Sequence, residues 1–127
     1  MLARTFKTAA ELGIPEHEAH ALQTVLYMLE DGEIKKEMLY MGNWHGLGAC
    51  GTTHCLAGWA NAVDERSFPE VSGRAVSMPK YRELEDRLPI ELRQLFGMDN
   101  RLMLFAGAAV ATASLRHYLE TGICNRK

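Results

Sequence analysis

Pro15-Glu16-His17-Glu18-Ala19-His20-Ala21-Leu22-Gln23-Thr24-Val25-Leu26-Tyr27-Met28-Leu29-Glu30-Asp31-Gly32 reads as one helix from start signal to stop signal. Pro15 suits the first helical position, where a missing N–H costs nothing, and Glu16 and Glu18 complement the positive end of the helix dipole. Leu22, Val25, Leu26 and Leu29 recur at i, i+3, i+4 and i+7, which gathers them on one buried face. Gly32 is the natural stop. No stretch elsewhere alternates apolar and polar residues in the way a half-buried strand requires, so the expected fold is all-α.

Outward from that helix the same punctuation repeats. Residues 3–12 predict a short opening helix stopped by Gly13, and Glu33–Tyr40 another short one. Thr52 or Thr53 is a plausible N-cap for a helix running through Cys55, Leu56, Trp59 and Val63. Asp64–Ser77, with Pro69 and Gly73, reads as a connecting loop. Pro79 opens a helix bearing Tyr81, Leu84 and Leu88, whose Glu83, Glu85, Asp86 and Arg87 read as a solvated face. Pro89 opens a further helix with Leu92, Leu95 and Phe96, stopped by Gly97. Asp99 or Asn100 then caps a last helix, apolar nearly all round from Leu102 to Ala113 and ended by Gly122. The expectation is a single domain, residues 1–127, forming a compact orthogonal bundle of five to seven helices. The Leu102–Leu119 helix is placed near its centre, with the Trp44–Trp59 region packed across it.

Composition bounds what such a bundle does. The chain has 127 residues, 47% hydrophobic and 24% charged, which suits one soluble globular domain with a core of its own. Its 14 basic and 16 acidic residues give a formal charge of −2 and are interspersed, so no phosphate-neutralising face is expected and nucleic acid is disfavoured as a partner. The apolar run Leu102–Ala113 falls well short of the roughly 20 residues that span a bilayer, so no membrane is expected. Three cysteines is an odd number for a secreted disulfide framework. With no signal-peptide pattern at Met1–Lys7, a reducing cytoplasm is the expected compartment.

The residues with special chemistry are concentrated in Trp44-His45-Gly46-Leu47-Gly48-Ala49-Cys50-Gly51-Thr52-Thr53-His54-Cys55-Leu56-Ala57-Gly58-Trp59, which holds both tryptophans and two of the three cysteines. Three readings compete. In the first, Cys55 lies in the first turn of a helix, where unpaired N–H groups and the dipole favour thiolate. His54 or His45 then serves as base or ion-pair partner and Cys50 as resolving thiol. The four residues between the cysteines, and the lack of an acid to orient a histidine, weigh against it. In the second, His45, Cys50, His54 and Cys55 supply zinc ligands of the right type and number. Here the adjacency of His54 and Cys55 is awkward, because neighbouring helical side chains diverge by about 100°. In the third there is no reaction: the cysteines fill space, the tryptophans form a packing centre, and Ala57 and Gly58 admit close helix contact. A Cys50–Cys55 disulfide is a minor variant of this last reading.

Weaker features lie outside that stretch. His17 and His20 share a helix face and read as solvated. The seven methionines read mainly as gap-filling core. Cys124, beside a charged C-terminus, reads as exposed and without a role.

Trp44-His45 followed by Cys50-Gly51-Thr52-Thr53-His54-Cys55-Leu56-Ala57-Gly58-Trp59-Ala60 resembles a signature, Trp…Cys-Gly-Thr-x-x-Cys-x-Ala-Gly, of small bacterial and phage proteins. Leu92 to Phe96 resembles a second, downstream Leu-x-x-Leu-Phe element of such proteins. The resemblance implies a bacterial or phage setting and a real structural unit, and it brings no reaction with it. With no complete catalytic constellation and no required cofactor, zinc being the one considered, the leading expectation is a non-enzymatic module acting on a protein partner. The thiol enzyme and the zinc-stabilised domain are the alternatives.

Overall fold

The computed structural model describes residues 6–39, 41, 45–46, 53–72 and 77–126, the pairs 45–46 and 53–54 through their backbone alone. Seven α-helices are present among them: α1 (Ala9–Leu12), α2 (Glu16–Glu30), α3 (Leu56–Val63), α4 (Met78–Arg87), α5 (Ile90–Leu95), α6 (Arg101–Leu104) and α7 (Ala108–Thr121). Two 3-10 turns, Lys36–Met38 and Pro69–Val71, lie in the connections. The fold is all-α, as its apolar spacing predicts. A minimal antiparallel ladder, β1 (His45–Gly46) against β2 (Thr53–His54), pairs His45 with His54 and Gly46 with Thr53.

Local signals explain where the elements start. Thr8 caps α1 through a capping box: its hydroxyl accepts the Glu11 N–H at 3.1 Å, and Glu11 Oε1 accepts the Thr8 N–H at 2.9 Å. The opening helix therefore begins at Ala9 and not at residue 3, since the cap residue must itself be extended. Pro15 and Pro89 each serve as the cap residue, one position earlier than expected, with φ and ψ of −61° and 150° at Pro15. Gly13, with φ of 73°, supplies the left-handed residue that ends α1. Of the expected Glu33–Tyr40 helix, the described residues 33–39 form the 3-10 turn Lys36–Met38, with Ile34 and Leu39 buried and their neighbours largely exposed.

The centre of the bundle is α2. Its Ala21, Leu22, Val25 and Leu26 have no exposed surface. Helices α3 and α7 both pack on it, and they bury Leu56, Ala57 and Ala60 on α3 and Ala111, Leu115 and Leu119 on α7. Each fully buried leucine of this set stabilises the fold by roughly 1.5–3 kcal/mol. The small Ala57 and Gly58 lie buried on α3, consistent with close helix approach. Helices α4 and α5 extend the core with Leu84, Leu88, Leu92 and Leu95. Phe96, which follows α5, meets Phe68 edge to face, with ring centroids 5.0 Å apart and planes at 89°.

Two expectations are corrected here. The Leu102–Leu119 segment is not one central helix. It breaks at Phe105–Gly107 into α6 and α7, because Gly107 is extended (φ −74°, ψ 172°) and α6 is seated against the Gly97 turn. A Cβ at Gly97, whose φ is 82°, would come within 3.2 Å of the Leu104 backbone. The run Leu102–Ala113 is accordingly not buried all round: Leu102 is 54% and Phe105 80% exposed.

The α4 face is the second correction, in part: Glu83, Asp86 and Arg87 are exposed as expected, but Arg87 is also the hub of an ion network joining three parts of the chain. Its guanidinium donates to Glu18 on α2 (2.9 and 3.0 Å) and to Glu70 of the second 3-10 turn (2.8 and 3.0 Å). Glu18, 1% exposed, also accepts the Phe68 N–H at 2.9 Å, and Phe68 holds a left-handed φ of 49°. A carboxylate buried on the apolar side of α2 is tolerated because both oxygens have donors.

Candidate functional site

The described part of the Trp44–Trp59 stretch is assembled from Cys55 onward. The cap of α3 is Cys55 and not Thr52 or Thr53, since Thr53 is engaged in the ladder with Gly46. Cys55 is extended (φ −79°, ψ −178°), and its Sγ accepts the Gly58 N–H at 3.4 Å. It is 1% exposed. Burial pushes its thiol up to about 11, and the N–H groups of Gly58, Ala57 and Cys55 itself only partly oppose this. This counts against the thiolate of the first reading: at neutral pH a thiol so raised stays protonated, because desolvation outweighs the helix end. Trp59 packs half-buried against the core and donates its indole N–H to the Met38 carbonyl at 2.9 Å, which ties α3 to the first 3-10 turn.

The remaining members of the candidate thiol and metal sets fall elsewhere. Cys50 and Trp44 lie outside the described residues, as do the side chains of His45 and His54. The ladder does bring the backbones of His45 and His54 opposite one another. Among the described residues, no three His, Cys, Asp or Glu side chains converge as metal ligands. Cys55 is a free thiol, and the Cys50 end of the disulfide variant lies outside the described residues. Cys124 is a free thiol too, and it is buried rather than exposed. Its N–H donates to Glu91 Oε1 at 2.8 Å, which folds the chain end back onto α5. His17 Nε2 donates to the Arg66 carbonyl at 3.0 Å and so anchors the loop after α3, while His20 is exposed.

A second feature arises from the break between α6 and α7. An open groove of about 1020 Å³ runs between the α7 N-terminal half and the segment around the first 3-10 turn. Half-buried Leu29 of α2 lines it beside the buried Ile34 and Leu39, and Ala108, Ala109 and Thr112 line the α7 side. Lys36, Glu37 and Arg116 bring charge to its walls, the Arg116 guanidinium being paired with Glu30. Phe105 lines the groove while standing 80% exposed. The sequence reading missed this surface. Its only local signal was Gly107 in an apolar run, and that signal has a helix-breaking consequence only once α6 is seated on the Gly97 turn.

No helix among the described residues is long and apolar enough to cross a membrane. No family model matches the chain, and neither a curated protein nor a solved structure does. The assignment therefore rests on the two surfaces themselves. The Cys55 region presents a buried, neutral thiol used as a helix cap, and the α6–α7 elbow presents exposed apolar surface beside a groove.

Proposed function

We propose that this chain is a non-enzymatic protein-interaction module whose binding surface is the groove beside the α6–α7 elbow. The observation that carries the reading is Phe105, a large apolar side chain 80% in solvent at the edge of an apolar groove. Leu102, 54% exposed on α6, adds to it. Clustered apolar exposure of this kind marks interaction sites, whereas isolated exposed residues need no explanation. The burial and raised pKa of Cys55 count against a thiol reaction as the competing reading. A reducing, cytoplasmic setting suits the free thiols Cys55 and Cys124, and the likeness of the Cys-Gly-Thr stretch to bacterial and phage proteins suggests where such a module works.

The test is a photo-reactive phenylalanine analogue at position 105, irradiated in cells that express the chain. The expected result is a discrete protein adduct whose purified partner binds the wild-type chain and binds Phe105→Ser roughly tenfold more weakly. Adducts scattered over abundant proteins, none of which reconstitutes binding, would overturn the reading.

A further inference from the structure

The stretch richest in histidine and cysteine is not used by the interaction surface, and the fold divides its four candidate ligands. Cys55 leaves the set, because it is 1% exposed and its Sγ caps α3 by accepting the Gly58 N–H. Cys50 lies outside the described residues. The histidines are brought together: His45 of β1 and His54 of β2 occupy one register position of the antiparallel ladder. Residues directly opposite in such a ladder share a face, with Cβ atoms about 4.5–5.5 Å apart. Zinc takes an imidazole nitrogen at about 2.0–2.1 Å, so one ion is within reach of two residues spaced in this way.

Two further observations favour this pair. Along extended backbone, successive residues face opposite ways. Cys55 is extended (φ −79°, ψ −178°) and buried in the core, so position 54 belongs to the face away from it. That adjacency defeats a site using both residues, but not one using His54 with His45. The ladder is also held in place: β2 packs against the Lys36–Met38 turn, and the Trp59 indole ties that turn to α3. Ligands on backbone already held lose less freedom on binding. Of charged residues, the turn brings Lys36 and Glu37, of opposite sign, and α3 brings none, so no net charge on these elements repels a cation.

We propose that the His45–His54 pair makes the β1–β2 ladder a binding site for a divalent transition-metal ion, zinc. Imidazole suits zinc, and two protein ligands leave the other positions of a tetrahedral ion to water or to a further donor. Such a site exchanges its ion with solution rather than closing around it. It does not depend on the protein-interaction reading.

The experiment strips the full chain of metal with a chelator and titrates it with zinc chloride by calorimetry near neutral pH. The expected result is binding of a single ion, with the thermal melt raised at saturating zinc. His45→Gln and His54→Gln each weaken the binding roughly tenfold or more, whereas His20→Gln, at an exposed position of α2, leaves it unchanged. Where a variant fails to fold, carbethoxylation of the wild-type histidines carries the test: zinc protects His45 and His54 but not His20, read per residue by mass spectrometry. Lowering the pH to about 5.5 releases the ion as the imidazoles take up protons. Absence of zinc binding overturns the proposal. So does binding that either histidine variant leaves intact, or that Cys55→Ala alone abolishes.

Discussion

Arg87 and Glu18, far apart in the chain, are joined by two hydrogen bonds, 2.9 Å to Oε1 and 3.0 Å to Oε2. The Glu18 side chain is 2% exposed and that of Arg87 34%, so the pair straddles the boundary of the core. The Arg87 guanidinium also lies 5.9 Å from the Phe68 ring centroid. One side chain thus fixes α4, the Pro69–Val71 turn and the left-handed Phe68 against α2.

Removing one partner should cost more than the pair contributes. Arg87→Ala leaves the buried Glu18 carboxylate with the Phe68 N–H as its remaining described donor, and we expect a loss of roughly 3 kcal/mol. Glu70→Gln, at the more exposed arm of the network, should cost below about 1 kcal/mol. Urea unfolding of the two variants checks this, and equal losses would mean that Glu18 is not the principal partner.

The Asp64 carboxylate gives an acid-side signature. The Arg66 side chain, then the Arg66 N–H, hold its pKa at about 2, below the ordinary 3.8. A carboxylate lowered by folding stabilises above the unfolded value and loses that contribution as pH falls through the folded one. The stability of the wild-type chain should therefore fall between about pH 4 and pH 2 more steeply than that of Asp64→Asn, when both are followed by denaturant titration at each pH.

Cys55 gives the complementary signature on the alkaline side. Its thiol is raised from 9.0 to about 11, so the unfolded chain ionises first. That contribution to stability is complete below pH 9 and is lost as pH rises toward 11. Alkylation of Cys55 in the native chain should be slow across neutral pH and become fast on unfolding, when read per cysteine by mass spectrometry. Rapid native labelling near pH 7 would restore the thiol-enzyme reading.

Two phenylalanines should behave oppositely. Phe96 is 2% exposed and stacked edge-on against Phe68, so Phe96→Ala should cost about 3–5 kcal/mol. Phe105→Ser should change stability by no more than about 0.5 kcal/mol, since the side chain is already in water. If Phe105→Ser also lowers binding of an apolar fluorescent dye, the groove edge is accessible in solution.

Much of this architecture is written locally. The buried face of α2 follows from the spacing of Leu22, Val25 and Leu26. The left-handed glycines at 13, 97 and 122 mark ends where the sequence expects them. Such features depend on residues within one turn of each other, and their energies are local enough to be read in order along the chain. The partner of Arg87, the burial of Cys55 and Cys124, and the break at Phe105–Gly107 are of another kind. Arg87 looked like one more charge on a polar face, and nothing nearby in sequence announces Glu18. Cys55 sits at a helix start that locally favours thiolate, and only the surfaces closing over it reverse the balance. Whether a side chain is desolvated, and by what, depends on which distant surfaces meet. That is why the helices and the fold class were legible in the sequence, while the ion network, the neutral thiol and the groove were decided by the tertiary structure.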